Sequence, residues 1–202
     1  MKIKNVYILK VGKWKNRIME ENMDILFKLT DEDFGIEPQE MNNSRLRMAA
    51  RGIVIRENGK IAIQNKSKKN EFKLVGGGME NDEDPTLAFK REVLEEAGCE
   101  IEIIEQLGIT EEYKSLQNLK QISNIFVAKV INDTHKLNLT EKEKSEGAKL
   151  LWVEPQEALR LVTDCYDKLL PSDYDDVYDT RFVVLRDRKI LKYYLEKINN
   201  KK

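Results

Sequence analysis

From Met48 the chain reads MAARGIVIRENGKIAIQNK, two runs rich in β-branched residues on either side of Glu57-Asn58-Gly59-Lys60. Asn-Gly between such runs favours a tight reversal, so the segment predicts a β-hairpin. Another short strand is expected over Glu71 to Leu74, running into Val75-Gly76-Gly77-Gly78, where three consecutive glycines predict a sharp turn. Asp84-Pro85 has the form of an N-cap followed by proline at the first helical position, and Gly98 is placed to stop the element, so residues 85 to 97 are predicted helical. Cys99 to Glu105, Gly108 to Tyr113 and Gln121 to Val130 follow as strands. A Lys/Glu-rich loop leads to a strand over Leu150 to Val153 and a helix opened by Pro155 and reaching about Thr163. After a turn over Pro171 to Asp179, an amphipathic helix is expected from about Thr180 to Lys197, with Leu185, Ile190, Leu191 and Leu195 apolar. Residues 1 to 43 are mixed and charged, with short apolar stretches at Val6 to Leu9 and Ile25 to Leu29, the second ending in Asp31, Glu32 and Asp33. The pattern divides the chain into an N-terminal extension (1–43) packing on a domain (44–165), and a C-terminal turn and helix (166–202).

A chain of 202 residues with 41% hydrophobic content can fill the core of one α/β or α+β domain. Its 35 basic residues nearly cancel its 36 acidic ones, so no global field draws it to nucleic acid or an anionic membrane, and recognition must be local. Cys99 and Cys165 are too few for a disulfide framework, which fits a reducing, cytoplasmic setting. The opening MKIKNVYILKVGKW lacks a long apolar run, and no segment approaches the roughly 20 apolar residues that a membrane helix needs.

Chemistry enters on the 85–97 helix. At about 100° per residue, Glu92, Glu95 and Glu96 share an arc of about 100°, while Leu87, Phe89, Val93, Leu94 and Ala97 occupy the rest with Lys90. Such a face is ordinarily a solvated one. Here Glu92 and Glu96 form a like-charge pair at i, i+4, which is mildly destabilising, and only Glu95 has a basic residue one turn back, Arg91. A divalent cation reverses that sign, because hard cations such as Mg²⁺ take oxygen ligands and bridge carboxylates to substrate phosphates. The adjacent glycines let the backbone come close to such an ion.

Gly77, five residues, Glu83, seven residues, then Arg91-Glu92-Val93-Leu94-Glu95-Glu96-Ala97-Gly98-Cys99 matches every fixed position of the Nudix box. Nine specified positions at fixed spacing arise by chance in a chain of this length on the order of 10⁻⁷ of the time. The chain thus resembles the Nudix hydrolase family, and the likeness extends from about Met48 to about Thr163. The resemblance implies an α/β/α sandwich with a mixed sheet and a loop–helix–loop holding Mg²⁺, with Mn²⁺ as its substitute. Glu92, Glu95, Glu96 and the carbonyl of Gly77, or of Gly76, are the implied ligands. Arg91 and Glu83 resemble the family's structural ion pair. The general base is drawn from the box, where Glu92 and Glu95 are the candidates, or from a later loop, where Glu146 is the candidate and Glu143 the fallback. Val75 stands where relatives often have proline and Asp82 where they often have glycine, which bears on loop rigidity. Cys99 fills the last, apolar position of the box as a small hydrophobe. His135, the single histidine, lies in a polar loop and is read as a surface residue.

The function implied is hydrolysis of a diphosphate bond in a nucleoside diphosphate linked to another moiety: a nucleoside triphosphate, a nucleotide sugar or a dinucleoside polyphosphate. Relatives that cut ADP-ribose often carry a proline some fifteen residues after the box, and there is none here between Pro85 and Pro155. Arg51 and Tyr113 are the candidates for contacting this small, nucleotide-type substrate, Tyr113 lying slightly early for a tyrosine seen in enzymes of dinucleoside polyphosphates. Arg47, Lys66, Lys68 and Lys69 read mainly as solvated charge. The C-terminal segment is read as a lid, a homodimer contact or a helix packed on the domain. The competing reading is a Nudix-fold nucleotide sensor without hydrolysis, which has little use for three carboxylates that repel phosphate unless metal is present. An isomerase on the same fold would need a further catalytic cysteine and glutamate that the sequence does not offer.

Overall fold

The computed structural model describes residues 24–200, so the stretch Val6 to Leu9 lies outside the described residues. The elements in chain order are β1 (Ile25–Leu29), β2 (Arg45–Ile55), β3 (Ile61–Lys66), β4 (Glu71–Gly78), α1 (Pro85–Ala97), β5 (Cys99–Lys114), β6 (Leu119–Asp133), α2 (Glu141–Ser145), β7 (Ala148–Val153), α3 (Pro155–Asp164) and α4 (Val177–Asn199). The strands form one mixed sheet in the order β1-β5-β6-β2-β4-β3-β7, with β1–β5 and β6–β2 parallel and the other pairs antiparallel. Strand alternation gives the sheet two apolar faces. Ala50, Val54, Phe126 and Ala128 point to the face covered by α1, whose Ala88, Phe89, Val93 and Ala97 are buried there. Ile53, Ile125, Val127 and Leu74 point to the opposite face, where Ala158 and Val162 of α3 and Ile190 and Leu191 of α4 cover them. The result is the α/β/α sandwich with a mixed sheet.

β4 is the strand that positions the cleft. Its first half, Glu71 to Leu74, pairs with Lys66 to Ile63 of β3, and its second half, Val75 to Gly78, pairs with Gly52 to Ala49 of β2. Where the partner changes, two backbone amides are taken by side chains. The Leu74 amide donates to Asp187 on α4 at 2.8 Å, and the Gly76 amide donates to Glu96 on α1 at 2.7 Å. Both carboxylates are buried.

Four features differ from the expectations above. The three glycines do not turn the chain; they carry β4 onward as strand. Gly76 has φ +129, and a Cβ on it would run into the carbonyl of Ala50 and the backbone of Arg51, so the glycine permits a close strand approach instead of a reversal. Cys99 to Glu105 and Gly108 to Tyr113 are a single strand, β5, whose register against β6 shifts at Ile103/Glu105 and Gln106/Gly108. These irregularities break the alternation that would mark one long strand. The run Ile25 to Leu29 is not separate from the sheet: as β1 it pairs with β5, and Leu29 packs against Phe182 and Leu185 of α4. The charged loop before β7 contains α2, opened by a capping box in which Thr140 and Glu143 exchange side-chain-to-backbone bonds. No helix among the described residues is long and apolar enough to cross a membrane.

Asp187 also accepts from Arg186 Nε at 2.8 Å. Replacing it removes one acceptor from a buried amide and one counter-charge from a buried guanidinium. We predict that Asp187→Ala costs about 3 kcal/mol or more in chemical denaturation, and that Asp187→Asn, which keeps an acceptor for the Leu74 amide, costs clearly less. Equal losses in the two variants would show that the amide contact contributes little.

Candidate functional site

The helix α1 starts where Asp84 accepts the amides of Thr86 and Leu87 at 2.8 and 3.3 Å, and it ends where Gly98, at φ 63, donates to the Leu94 carbonyl at 3.1 Å. Phe89 stacks on Phe126 with ring centroids 5.4 Å apart. With that face anchored on the sheet, the helix is rotated so that Glu92 and Glu96 turn towards Gly76 and Gly77.

Glu96 is 3% exposed and lies between two donors, the Gly76 amide and Lys73 Nζ, the latter at 2.9 Å. Burial outweighs the attraction of Lys73 and of that amide, and pushes the Glu96 pKa up to about 7. Lys73 Nζ also donates to the Gly76 carbonyl at 3.3 Å. Glu92 lies directly over Gly77, where a Cβ would strike its carboxylate. Burial raises the Glu92 pKa too, against the pull of Arg91. Glu95 is the more open of the three and meets Arg91 Nη1 at 3.3 Å.

Arg91 is the brace of the site. Its Nε and Nη2 each bond one oxygen of Glu83 at 3.0 Å, its Nη2 also bonds the Gly78 carbonyl at 3.0 Å, and its Nη1 bonds Glu92 at 2.9 Å. The fork ties the loop before α1 to the end of β4.

Among the described residues no three His, Cys, Asp or Glu side chains already converge as a metal cage. The donors nevertheless suit a hard divalent cation. Glu92 occupies the space that Gly77 leaves by lacking a side chain, Glu96 is beside the neighbouring glycine, and every donor is oxygen. A cation held by all three carboxylates would replace the charge that Arg91 and Lys73 now provide to them.

Glu143 and Glu146, three residues apart, have different surroundings. Glu146 is 2% exposed and both of its oxygens are engaged, one by Lys66 Nζ at 2.7 Å and the other by Ser172 Oγ at 2.8 Å. Burial works to raise its pKa, but Lys66, Ser172 and Lys69 hold it below the usual carboxylate range. Glu143 instead lies close enough to Glu96 for the two carboxyls to influence each other's titration. The structure therefore brings Glu143, and not Glu146, to the α1 carboxylates.

A cleft of about 580 Å³ runs past the place where β4 changes partner, and residues of both sheet faces reach it. Nine Lys and Arg side chains line it against six Asp and Glu, so a nearly neutral chain carries a locally cationic cleft. Arg51 lines it from β2, 4% exposed, its pKa lowered to about 10 first by burial and then by neighbouring Arg186. Tyr113 lies elsewhere: its hydroxyl donates to Glu111 at 2.7 Å and it is not part of the cleft lining. Lys66 and Lys69, read above as solvated, are buried in ion pairs, Lys66 with Glu146, and Lys69 with Glu71 at 3.1 Å and Asp175 at 2.9 Å. His135 is exposed beside Asp133, and Cys99 is free and buried.

Sequence reasoning missed Lys73 and Arg186. Lys73 belongs to no recognised spacing, and its role arises only when α1 is laid across β4. Arg186 carried a faint signal, since it and Asp187 interrupt the apolar side of the last helix between Leu185 and Ile190.

A family model described as NUDIX domain matches residues 45–172. The chain is similar to a MutT-like protein of Streptomyces ambofaciens, 28% identical over 131 residues, which cover 64% of this chain and 79% of that protein. Among solved structures it is similar to a NUDIX hydrolase from Nitrosomonas europaea, with TM-score 0.49, 17% identity and coverage of 61% of this chain and 87% of that one. It is also similar to the E. coli ORF135 protein, with TM-score 0.42, 23% identity and coverage of 60% and 83%.

The Glu96 environment sets a pH dependence. Its pKa is raised from 4.5 to about 7 on folding, so the native state holds the proton more tightly than the unfolded chain. This stabilisation of the metal-free protein is fully present below pH 4.5 and is lost as pH rises to about 7, amounting to about 3 kcal/mol. We predict that denaturation in EDTA shows this decline and that Glu96→Gln flattens it. An unchanged pH slope in the variant would assign the dependence to other groups.

Proposed function

Because the chain belongs to the Nudix family, we propose that it is a Mg²⁺-dependent hydrolase that cleaves the diphosphate bond of a nucleoside diphosphate linked to another moiety. The observation that carries this reading is the meeting of Glu92 and Glu96 with the bare backbone of Gly76 and Gly77 at a cleft where cationic side chains outnumber anionic ones. Glu92, Glu95 and Glu96 would hold the ion, with the carbonyl of Gly77 or Gly76 as a further ligand. When bound, Mg²⁺, or Mn²⁺ in its place, supplies positive charge to a phosphoryl oxygen and acidity to a water.

The chain's own residues supply the rest. Arg91 and Glu83 fix the loop against β4, which keeps Gly77 in register with Glu92. Arg51 and the cleft lysines counter the charge of the phosphates. Glu143 is the proposed general base: it faces Glu96, whereas Glu146 has both oxygens committed to Lys66 and Ser172. Glu146 is then a positioning residue that holds Lys66 and the turn at Ser172. Two buried thiols without a disulfide support a reducing, cytoplasmic setting.

The test is a product-mass screen of purified protein with Mg²⁺ against nucleoside triphosphates, nucleotide sugars, ADP-ribose and dinucleoside polyphosphates. Cleavage at a diphosphate bond is expected, and silence across the panel together with tight nucleotide binding would instead favour a sensor. Glu96→Gln should abolish turnover with the fold intact, and full activity in that variant would remove the metal-site assignment. Glu143→Gln is expected to slow turnover at least about a hundredfold and Glu146→Gln far less, with the reverse order returning the base to Glu146.

A further inference from the structure

Arg51 is buried, yet among the described residues its side chain makes no hydrogen bond and no ion pair, and its Nε is fully shielded and unpartnered. Arg186, entirely buried on α4, is only partly satisfied. Its Nε bonds Asp187 and its Nη1 bonds Glu112, each at 2.8 Å, while its Nη2 has no acceptor. Both arginines are among the residues that line the cleft, and Arg47, four residues before Arg51 on the same face of β2, lines it as well.

The nearby anions are engaged apart from one carboxylate oxygen, Glu112 Oε2, which has no hydrogen-bond partner and stands 3.6 Å from Lys114 Nζ. Asp187 serves Arg186 and the Leu74 amide, Glu112 serves Arg186, and Asp179 pairs with Lys114 at 3.2 Å. Asp187 and Glu112 attract Arg51 through space, but neither bonds it. Burying a guanidinium without a bonded counter-charge is unfavourable, and a second guanidinium beside it adds repulsion. Such a group is offset when an anion comes from outside. Unsatisfied N–H donors from two sides suit an oxyanion with more than one charge and three free oxygens. A terminal phosphate has these properties, whereas a phosphate esterified on both sides has one charge and two free oxygens.

We propose that Arg51, Arg186 and Arg47 form a subsite for a free terminal phosphate of the substrate. Arg186 reaches it from α4, which lies beyond the matched residues 45–172. Selectivity follows from the subsite: nucleotides ending in an unesterified phosphate are preferred over those capped at both ends, such as nucleotide sugars and dinucleoside polyphosphates. The selectivity rests on the hydrolase reading of the cleft, but the anion site does not.

The first measurement is calorimetric titration of the full chain with inorganic phosphate and tripolyphosphate in EDTA. Both should bind, and Arg51→Met should weaken each at least tenfold while raising the melting temperature of the ligand-free protein, because an unpaired buried charge is removed. Arg186→Lys, which keeps the charge but not the fork, should weaken binding several-fold and guards against a variant that fails to fold. No binding to the wild type, or unchanged binding and a lower melting temperature in Arg51→Met, overturns the subsite. Arginine-dependent binding without cleavage of any nucleotide would sustain the subsite and defeat the hydrolase reading. With cleavage present, equal kcat/KM for a nucleoside triphosphate and a dinucleoside polyphosphate, unaltered by Arg51→Met, would overturn the selectivity.

Discussion

The amides of Leu74 and Gly76, two residues apart on β4, are each taken by a buried carboxylate, Asp187 from α4 and Glu96 from α1. Buried amides must find acceptors, and at this point β4 is leaving one partner strand for another. The two helices on opposite faces are thus keyed to one short stretch of strand. This fixes where α1 presents Glu92 and Glu95, and where α4 presents Arg186. The cleft, its candidate metal ligands and its buried arginines all follow from this arrangement.

Charge in and around the cleft is arranged in pairs. Glu96 is held by Lys73, Glu92 by Arg91, and Glu146 by Lys66. Each ion pair keeps a buried or half-buried charge from standing alone. Arg51 departs from this pattern, since it is buried without a bonded counter-charge among the described residues. A formal net charge of −1 over the whole chain conceals this local structure, because charges that cancel in a sum are sorted in space by the sheet and its two helix layers.

Much of the framework was legible in the residues. α1 runs over the expected 85–97, because Asp84, Pro85 and Gly98 mark its ends by local backbone chemistry. The hairpin at Asn58-Gly59 and the helix opened by Pro155 are local in the same sense. What the pattern misread was non-local: the glycines of β4 became strand because β2 lies close against them, and Ile25 to Leu29 became part of the sheet because β5, some eighty residues later, lies alongside. A glycine shows that a side chain is absent, and only the neighbour shows what fills the space.

The candidate site divides in the same way. The sequence by itself determined the carboxylate face of α1, the Gly77 to Cys99 motif and the likeness it carries, since these depend on helical spacing and fixed offsets within 23 residues. The tertiary structure alone decided that Lys73 holds Glu96, that Glu143 faces the carboxylates while Glu146 is tied to Lys66, and that Arg186 meets Arg51 across 135 positions of chain. The physical reason is that charge–charge and hydrogen-bond energies depend on distance and burial, which the order of residues does not encode until the sheet has brought its strands together.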